Sequence, residues 1–232
     1  MDRRQFATAA IAAMAFANAG AALAAKPPPT WDNLVRVKSK RLSYVYLLPG
    51  ADFRGYTKVM LTPTEIAFRK DWKRDYNSSS RAMSSRVTDD QIERVIADGG
   101  KAATEIFAQA FADGGYPVVT EPGPDVLKVR TGVFNLAITA PEMRSAGRSR
   151  SYANEAGSAS LLIEVMDSVS DALLGRAVDS QVAGDNSYMM DRNSMTNRSD
   201  FRIVAKAWAK NTVNGLNELK RLSPINTAGN TP

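Results

Sequence analysis

Acidic side chains come close together in three places along the chain, and paired carboxyl groups can perform acid–base chemistry. Glycoside hydrolysis, for example, uses two carboxyl groups that are held a few ångströms apart in a cleft. The pairs are Asp89 with Asp90, Glu121 with Asp125, and Asp179 with Asp185. Helix capping or turn formation would explain the same positions, because aspartate favours both. The pairs therefore leave a carboxylate-dependent hydrolase open, beside a protein without catalytic activity.

Two residue types that carry much of protein chemistry are absent. The 232 residues include no cysteine and no histidine. Their absence excludes disulfides, thiolate nucleophiles, Cys/His zinc sites and histidine-based catalytic triads. A serine–lysine nucleophile needs neither residue type, but the serines crowd into polar stretches and no Ser-x-x-Lys sequence opens a predicted helix. We therefore predict no catalytic residue, no cofactor and no metal ligand.

Three methionines lie near one another in a polar stretch, at Met189, Met190 and Met195. Thioether groups bind soft ions such as Cu(I). Methionine also fills irregular gaps in a core, so the same side chains would anchor the stretch to the fold. Three methionines without a repeat favour the anchoring role.

Arginines cluster in two polar stretches and could bind anions. Arg144, Arg148 and Arg150 lie in one stretch, and Arg81 and Arg86 lie in the other. Guanidinium groups bind phosphate well, so the first three are candidate anion contacts, although a solvated loop would have the same composition. No aromatic residues alternate with these arginines, so we expect no nucleic-acid partner.

The N-terminus has the features of an export signal. A basic start is followed by an uncharged, Ala-rich apolar stretch over residues 7–25 and an Ala-x-Ala cleavage motif. We predict a signal peptide over residues 1–25, and a soluble periplasmic protein without a transmembrane span after cleavage. Twin-arginine and ordinary secretory signals both fit, and an uncleaved anchor is the other interpretation. The signal residues are Arg3, Arg4, Phe6, Ala22 and Ala24.

The chain is basic, with 30 Lys and Arg against 24 Asp and Glu and a formal net charge of +6. A basic exported protein meets anionic membrane surfaces and anionic envelope polymers. A modest positive charge also aids solubility, and these charges are spread along the chain. The charge alone therefore names no partner.

Hydrophobic periodicity and turn residues divide the remaining chain. We predict a Pro-rich linker and extended lead-in over residues 26–50 and a single α+β domain over residues 51–223. Residues 224–232 are predicted to be a disordered tail. Pro63 interrupts the first of four predicted strands, and a bulge near Gly132 would redirect the second. Alternating apolar residues predict these strands at 59–68, 126–138, 159–166 and 173–182.

Two helices are predicted from caps and apolar spacing. A capping box at Thr88 opens the first helix, which ends at Asp113. The second helix begins with a cap at Ser199 or Asp200 and ends before Pro224. Polar stretches without apolar periodicity predict loops at 71–86 and 183–199. The last helix has an apolar stripe that includes Trp208, and the side chains off that stripe include Lys206, Lys210 and Arg221.

These elements predict an α+β fold. It would have an antiparallel sheet of about four strands with two amphipathic helices packed on one face. Each helix has one apolar stripe, and stacking both on one sheet face buries both stripes most simply. The other face of the sheet would be solvated or covered by a partner.

Four short segments, in this order, resemble a known family. They are residues 55–61 with Pro63, 116–119 with 121–124 and 126–127, 161–167 with 177–179 and Gly184, and 207–209. Together they are similar to the bacterial envelope family catalogued as domain of unknown function 3313. The resemblance implies an envelope protein, commonly a lipoprotein, and it implies no activity and no catalytic residue. This chain has no cysteine to which a lipid could be attached.

These observations favour a non-enzymatic binding or accessory module of the cell envelope, which would act through a sheet edge or the open sheet face. The expected partner is an envelope protein or an anionic envelope polymer, and pairing of exposed sheet edges would produce a homodimer. The alternative is a carboxylate-dependent envelope hydrolase, which a deep cleft with two facing carboxyl groups would favour.

Overall fold

The computed structural model describes residues 27–79, 86–139, 151–184 and 189–228. The strands in these residues are β1 (Thr30–Trp31), β2 (Leu34–Val37), β3 (Tyr44–Leu47), β4 (Lys58–Leu61), β5 (Glu65–Phe68), β6 (Val126–Ile138), β7 (Ser151–Ala153), β8 (Gly157–Asp167), β9 (Leu173–Ala183) and β10 (Met190–Arg192). The helices are α1 (Trp72–Ser79), α2 (Asp89–Asp113) and α3 (Ser194–Leu222). Within the described ranges, no helix is both long and apolar enough to cross a membrane.

Eight of the described strands form one mixed sheet. Their order is β1–β2–β3–β9–β8–β6, and both β4 and β5 lie along the free side of β6. Neighbouring strands are antiparallel, except that β4 and β5 run parallel to β6. A parallel neighbour needs a long connection, and α1 and α2 lie in the connection between β5 and β6. β7 and β10 form a separate two-stranded antiparallel sheet.

The α+β class is therefore correct, but the predicted sheet of four antiparallel strands is too small and the predicted pair of helices omits α1. The single strand predicted at 59–68 is divided around Pro63 into β4 and β5, and the missing strands β1, β2 and β3 contain only two to four residues each. That length is too short for alternation to show. β3 also finds its partner far along the chain, with Tyr44 opposite Val178 of β9.

Both ends of the described chain belong to the folded body. The stretch 26–50, expected as a linker and lead-in, contains β1, β2 and β3. In the expected tail, Ile225 is buried. Its carbonyl accepts a hydrogen bond from the amide of Gly50 and its amide donates one to Ala51, each at 2.8 Å. These backbone bonds hold residues near the two ends of the expected domain beside each other.

The helix α1 lies where the sequence predicts a polar loop. The rings of Phe68, Trp72 and Tyr76 stack in succession, with centroids 4.6 and 5.7 Å apart. Residues four apart face the same side of a helix. Trp72 and Tyr76 therefore lie on one side of α1, where Trp72 contacts Phe68 of β5, although α1 has no continuous apolar stripe.

The two long helices cover one face of the main sheet. α2 has the predicted capping box, in which Thr88 and Gln91 each satisfy the backbone amide of the other. α3 starts earlier than predicted, after a cap at Asn193. The main core lies between these helices and the sheet, and its buried residues include Val59, Phe107, Phe111, Leu127, Val129, Leu161, Ile163, Trp208, Val213 and Leu216.

β6 changes register at Asn135 and not at Gly132, and from that point the other set of alternate residues faces the main core. Leu136 lies in the main core, whereas Phe134 lies in a smaller cluster on the opposite face. The pairing with β8 shifts between Phe134 and Ala137, and Asn135 has a φ of 52°. Asparagine adopts this left-handed conformation more readily than most residues. The predicted bulge therefore exists, three residues further along the strand.

Candidate functional site

The residues proposed for export and for anion contact lie outside the described ranges. This applies to the signal residues Arg3, Arg4, Phe6, Ala22 and Ala24, and to Arg81, Arg144, Arg148 and Arg150. Arg86 is described and exposed. The anion-contact hypothesis for these arginines therefore remains a prediction from the sequence.

The first two carboxylate pairs lie at exposed helix and turn positions. Asp89 opens α2 and forms an ion pair with Lys73 at 2.5 Å. Asp125 accepts a hydrogen bond from the Thr57 hydroxyl at 2.8 Å and pairs with Lys58 at 3.1 Å. The hydrogen bond from Thr57, followed by that from Lys58, holds the pKa of Asp125 below its usual value. These carboxylates stabilise local structure, as the capping and turn interpretation predicts.

The third pair includes a buried carboxylate, Asp179, whose predicted companion Asp185 lies outside the described residues. Asp179 accepts hydrogen bonds from the Trp208 indole at 2.8 Å, from the Ser43 hydroxyl at 2.5 Å and amide at 3.1 Å, and from Gln181 at 3.0 Å. A buried carboxylate is stable only when donors surround it. Asp179 therefore joins β9 to α3 and to the start of β3.

A row of alternating charges crosses the sheet face opposite the two long helices. Arg176 donates two hydrogen bonds to one oxygen of Glu164, at 2.7 and 2.9 Å, and a third to Asp32 at 2.7 Å. Arg130 pairs with the other oxygen of Glu164 at 3.3 Å and with Glu65 at 3.4 Å. We call these five residues the charged row. Its members come from β5, β6, β8, β9 and the β1–β2 turn.

The centre of the charged row is internal. Arg176 and Glu164 are 7% and 5% exposed. The Trp31 ring lies over the Arg176 guanidinium, with 4.2 Å between the guanidinium carbon and the ring centroid. Removing one member of such a buried pair leaves the other charge uncompensated, which strongly destabilises a fold. The charged row therefore stabilises the sheet and leaves its central carboxylate no room to act on a substrate.

Sequence reasoning missed the charged row, although a signal for it exists. Glu164 and Arg176 lie within strands whose other residues are mainly apolar, and they lie directly opposite each other in the β8–β9 ladder. Opposite charges at directly paired positions stabilise a sheet. Once 159–166 and 173–182 are predicted as a hairpin, their register would have indicated this pair.

Two other buried polar contacts tie strands to loops. Tyr56 donates a hydrogen bond to Asp167 at 2.9 Å, at the end of β8. Burial, followed by this hydrogen bond, raises the pKa of Tyr56 to about 12. Hydrogen bonds from the amide and hydroxyl of Ser170 lower the pKa of Asp167. Arg192 pairs with Asp200 and donates to the backbone carbonyls of Ala153 in β7 and of Gly184, the residue after β9.

An open cleft of about 390 Å³ lies where β5 and α1 meet the ends of β6 and β8. We call it the Trp72 cleft. Its lining includes Trp72, Tyr76, Asp75 and Glu155. Asp75 and Glu155 are exposed, and Asp75 pairs with Arg74 at 3.0 Å. Two carboxylates therefore line this cleft, and no described residue of the predicted pairs is among its lining.

A second, more apolar groove of about 450 Å³ lies between α2 and the β4–β5 connection. Pro63, Thr64, Ile96 and Ala97 contribute to its lining. The lining hydroxyl groups of Thr64 and Thr104 are bonded within the protein, Thr64 to Thr131 at 2.7 Å and Thr104 to the Gly100 carbonyl at 2.9 Å.

Two of the three methionines, Met189 and Met195, do not anchor the chain to the core. Met189 and Met195 are 65% and 79% exposed. In the described residues, no group of three Asp or Glu side chains is arranged to hold a metal ion. The anchoring role predicted for Met189 and Met195 is therefore wrong, because both side chains face solvent.

The fold and its internal ion pairs define an α+β protein built on one mixed sheet. Within that class, the chain belongs to the family described as protein of unknown function DUF3313, whose family model matches residues 28–212. No curated protein matches the chain.

Solved structures show distant likenesses. The PelC dodecamer from Paraburkholderia phytofirmans is 12% identical with a TM-score of 0.37, covering 74% of this chain and 95% of that one. Protein XCC0632 from Xanthomonas campestris is 11% identical with a TM-score of 0.40, covering 75% and 88%. A DUF4136 family protein from Bacteroides thetaiotaomicron is 10% identical with a TM-score of 0.35, covering 82% and 98%. Likenesses at this level say nothing about what the chain binds.

The segments that carry the family resemblance contact one another in the fold. The backbone of Val59 bonds to Pro117 at 3.0 Å and to Val119 at 2.9 Å. The contact between Asp179 and Trp208 joins the third segment to the fourth. The family segments thus include side chains and backbone groups that hold the fold together.

Proposed function

We propose that the chain is an exported protein of the bacterial cell envelope that acts by binding and not by catalysis. One observation carries the proposal: the buried charged side chains that the structure describes are each held by partners within the protein. Glu164 is held by Arg176, Asp179 by Trp208 and Ser43, and Arg192 by Asp200. Catalytic acids and bases need a free lone pair or proton facing a substrate. The absence of histidine and cysteine from the sequence supports the same proposal.

We infer export from the N-terminal signal. Replacing Arg3 and Arg4 together by lysine tests the route, because a twin-arginine signal depends on the guanidinium pair and an ordinary secretory signal accepts either basic residue. Processing to the mature size in the periplasmic fraction is expected for the parent chain. A full-length chain that stays in the cytoplasmic fraction would contradict export, whichever route is used.

The sheet edges are less suited to binding a partner than the side-chain surfaces are. β1 has only two residues, and residues 117–119 already bond to the outer side of β4. Short or covered edges discourage strand addition. The binding proposal is tested by incubating the processed chain with isolated envelopes and separating membrane and cell-wall fragments by centrifugation. We expect the chain in a pellet, and recovery of all of it in the supernatant would contradict binding.

A second candidate function is a carboxylate-dependent hydrolase. The observation in its favour is that Asp75 and Glu155 line the same Trp72 cleft. The processed chain should then turn over an envelope sugar, peptide or ester, and Asp75→Asn or Glu155→Gln should abolish turnover without loss of folding. Turnover that either variant abolishes would replace the binding proposal by the enzymatic one.

A further inference from the structure

The helix α3 presents a row of basic side chains to solvent. Arg198, Arg202, Lys206 and Lys210 follow each other at intervals of four residues, and all four are exposed. Side chains four apart are neighbours on a helix. With a rise of about 1.5 Å per residue, the four Cα atoms span about 18 Å along the axis. We call these four residues the basic row.

No acidic side chain of α3 pairs with Arg202, Lys206 or Lys210. Residues 201–217 contain neither Asp nor Glu. The two carboxylates of α3 have other partners, because Asp200 pairs with Arg192 and Glu218 pairs with Arg41. Among the described residues, no carboxylate forms an ion pair with the last three members of the basic row. Arg202, Lys206 and Lys210 thus form a concentrated positive surface.

The neighbouring helix α2 shows that this pattern is not general in the molecule. Its exposed positions Glu93, Arg94, Asp98, Lys101 and Glu105 alternate in sign, as is typical of a solvated helix surface. Like charges four residues apart destabilise a helix. Three successive like pairs on α3 therefore oppose helix stability, and an anionic partner would offset their repulsion.

Large aliphatic side chains flank the basic row. Met195 and Ile203 are 79% and 64% exposed. Each lies three residues before a basic side chain, Arg198 or Lys206, which places it beside the row. Helices that lie in the interface of an anionic bilayer combine basic and aliphatic residues in this way, because the cations meet phosphate headgroups while the aliphatic groups enter the acyl boundary.

We propose that the basic row, together with Met195 and Ile203, docks the processed protein on an anionic phospholipid surface. The proposal rests on the function proposed above and deepens it by naming the chemistry of the partner. A bilayer fits better than a dissolved anionic polymer because it offers a negative surface with an apolar layer directly behind it. A polysaccharide would leave Met195 and Ile203 in water.

The test uses the processed chain, residues 26–232, and sedimentation with large vesicles. Vesicles of equal parts phosphatidylglycerol and phosphatidylcholine are compared with vesicles of phosphatidylcholine alone. We expect binding to the anionic vesicles only, and weaker binding as salt is raised, because salt screens exposed charges. Absence of binding to the anionic vesicles at low salt would overturn the proposal.

The variant Arg202→Gln/Lys206→Gln tests the basic row directly. Each basic side chain near an anionic surface contributes about fivefold in affinity, so binding should fall by about 30-fold. The matched control is Lys70→Gln/Arg86→Gln, which removes one exposed Lys and one exposed Arg outside α3. The control should change binding by less than about twofold, because its charges lie outside the docking surface. Equal losses in both variants would show that net charge and not the basic row is responsible, and would overturn the proposal.

The variant Ile203→Ser separates a bilayer from a dissolved polymer. It should weaken binding to anionic vesicles by about tenfold, and circular dichroism should show an unchanged fold because the side chain is exposed. Soluble dextran sulfate serves as the polymer probe. If Ile203→Ser leaves vesicle binding unchanged and dextran sulfate binds as tightly as the vesicles, the partner is an anionic polymer and the bilayer proposal is wrong. If the vesicle experiments contradict membrane docking, the proposal of a non-catalytic protein is unaffected, because only enzymatic turnover would contradict it.

Discussion

At Asp179, one buried carboxylate takes its hydrogen-bond donors from the helix α3 and from the residue that precedes β3. Trp208 and Ser43 contribute most of these contacts. Aspartate at a buried strand position would be costly without them. The indole N–H of Trp208 therefore contributes to stability in addition to the volume of its ring. A substitution that keeps an aromatic ring but removes the N–H separates the two contributions.

We predict that Trp208→Phe lowers the free energy of unfolding by about 2 kcal/mol more than Trp72→Phe, because a hydrogen bond to a buried charged group is lost. Trp72 is the matched control, since it is buried to a similar extent and, within the described residues, its indole donates no hydrogen bond. Urea unfolding of both variants measures the difference. Equal losses would mean that only ring volume is important at Trp208.

We expect the stability of the fold at alkaline pH to depend on Tyr56. Its pKa is raised from 10.0 to about 12 by burial and by the hydrogen bond to Asp167. The stabilisation is fully present below pH 10 and is lost as the pH rises towards 12, because the unfolded chain releases the phenolic proton first. The expected loss is roughly 2 to 3 kcal/mol.

Urea unfolding at pH 9 and at pH 11.5 measures this effect for the parent chain and for Tyr56→Phe. The variant should lose less stability than the parent between the two pH values. It should not become insensitive to pH, because burial also raises the pKa of Tyr76 and Tyr116. An identical loss in both chains would show that Tyr56 does not titrate with unfolding.

At the scale of elements, two helical glycines have opposite surroundings. A Cβ atom at Gly100 of α2 would lie 2.7 Å from the carbonyl oxygen of Thr64, whereas one at Gly215 of α3 would meet nothing within 4 Å. At Gly100 the backbone of the β4–β5 connection therefore approaches the helix closely.

We predict opposite effects for the same substitution at these two sites. Gly100→Ala should destabilise the protein by about 1 to 3 kcal/mol, because α2 must move away from the β4–β5 connection. Gly215→Ala should stabilise it by up to about 1 kcal/mol through helix propensity alone. Thermal unfolding measures both. Stabilisation by Gly100→Ala would mean that α2 shifts without loss of packing.

The elements that the sequence predicts well are those with local signals. The capping box at Thr88 locates the start of α2, and alternation locates β6, β8 and β9 to within a few residues. The elements missed are held by contacts, distant or local, that apolar periodicity does not reveal. β3 pairs with β9, and α1 is held by an aromatic stack with Phe68.

The proposed docking surface was only partly visible in the sequence. Lys206 and Lys210 are predicted to lie off the apolar stripe of the last helix, but its start is placed at Ser199 or Asp200. Because α3 begins at Ser194, the helix also includes Met195 and Arg198, and this extension completes the basic row. The cap at Asn193 was obscured by the polar residues that surround it.

At the scale of the whole molecule, the predicted domain boundary at residue 51 can be tested. A chain of residues 51–223 lacks β1, β2 and β3, so it removes Tyr46 and Leu47 from the core and exposes the edge of β9. Exposed central strands promote association between chains. We predict that this chain aggregates or unfolds at a much lower temperature than residues 27–228.

Size-exclusion chromatography and circular dichroism compare the two chains under the same conditions. The longer chain keeps the backbone contacts of Ile225 as well as the three strands. A monodisperse shorter chain that melts at the same temperature as the longer one would show that residue 51 is a true boundary.

The pairing of β3 with β9 also determines when the chain can finish folding. Residues 44–47 lie opposite residues 175–178, so during synthesis β3 has no neighbour on that side until β9 has left the ribosome. Contacts between distant segments slow folding. The main sheet would therefore stay incomplete through most of translation, and the exposed edge of β3 would be accessible to chaperones until the sheet closes.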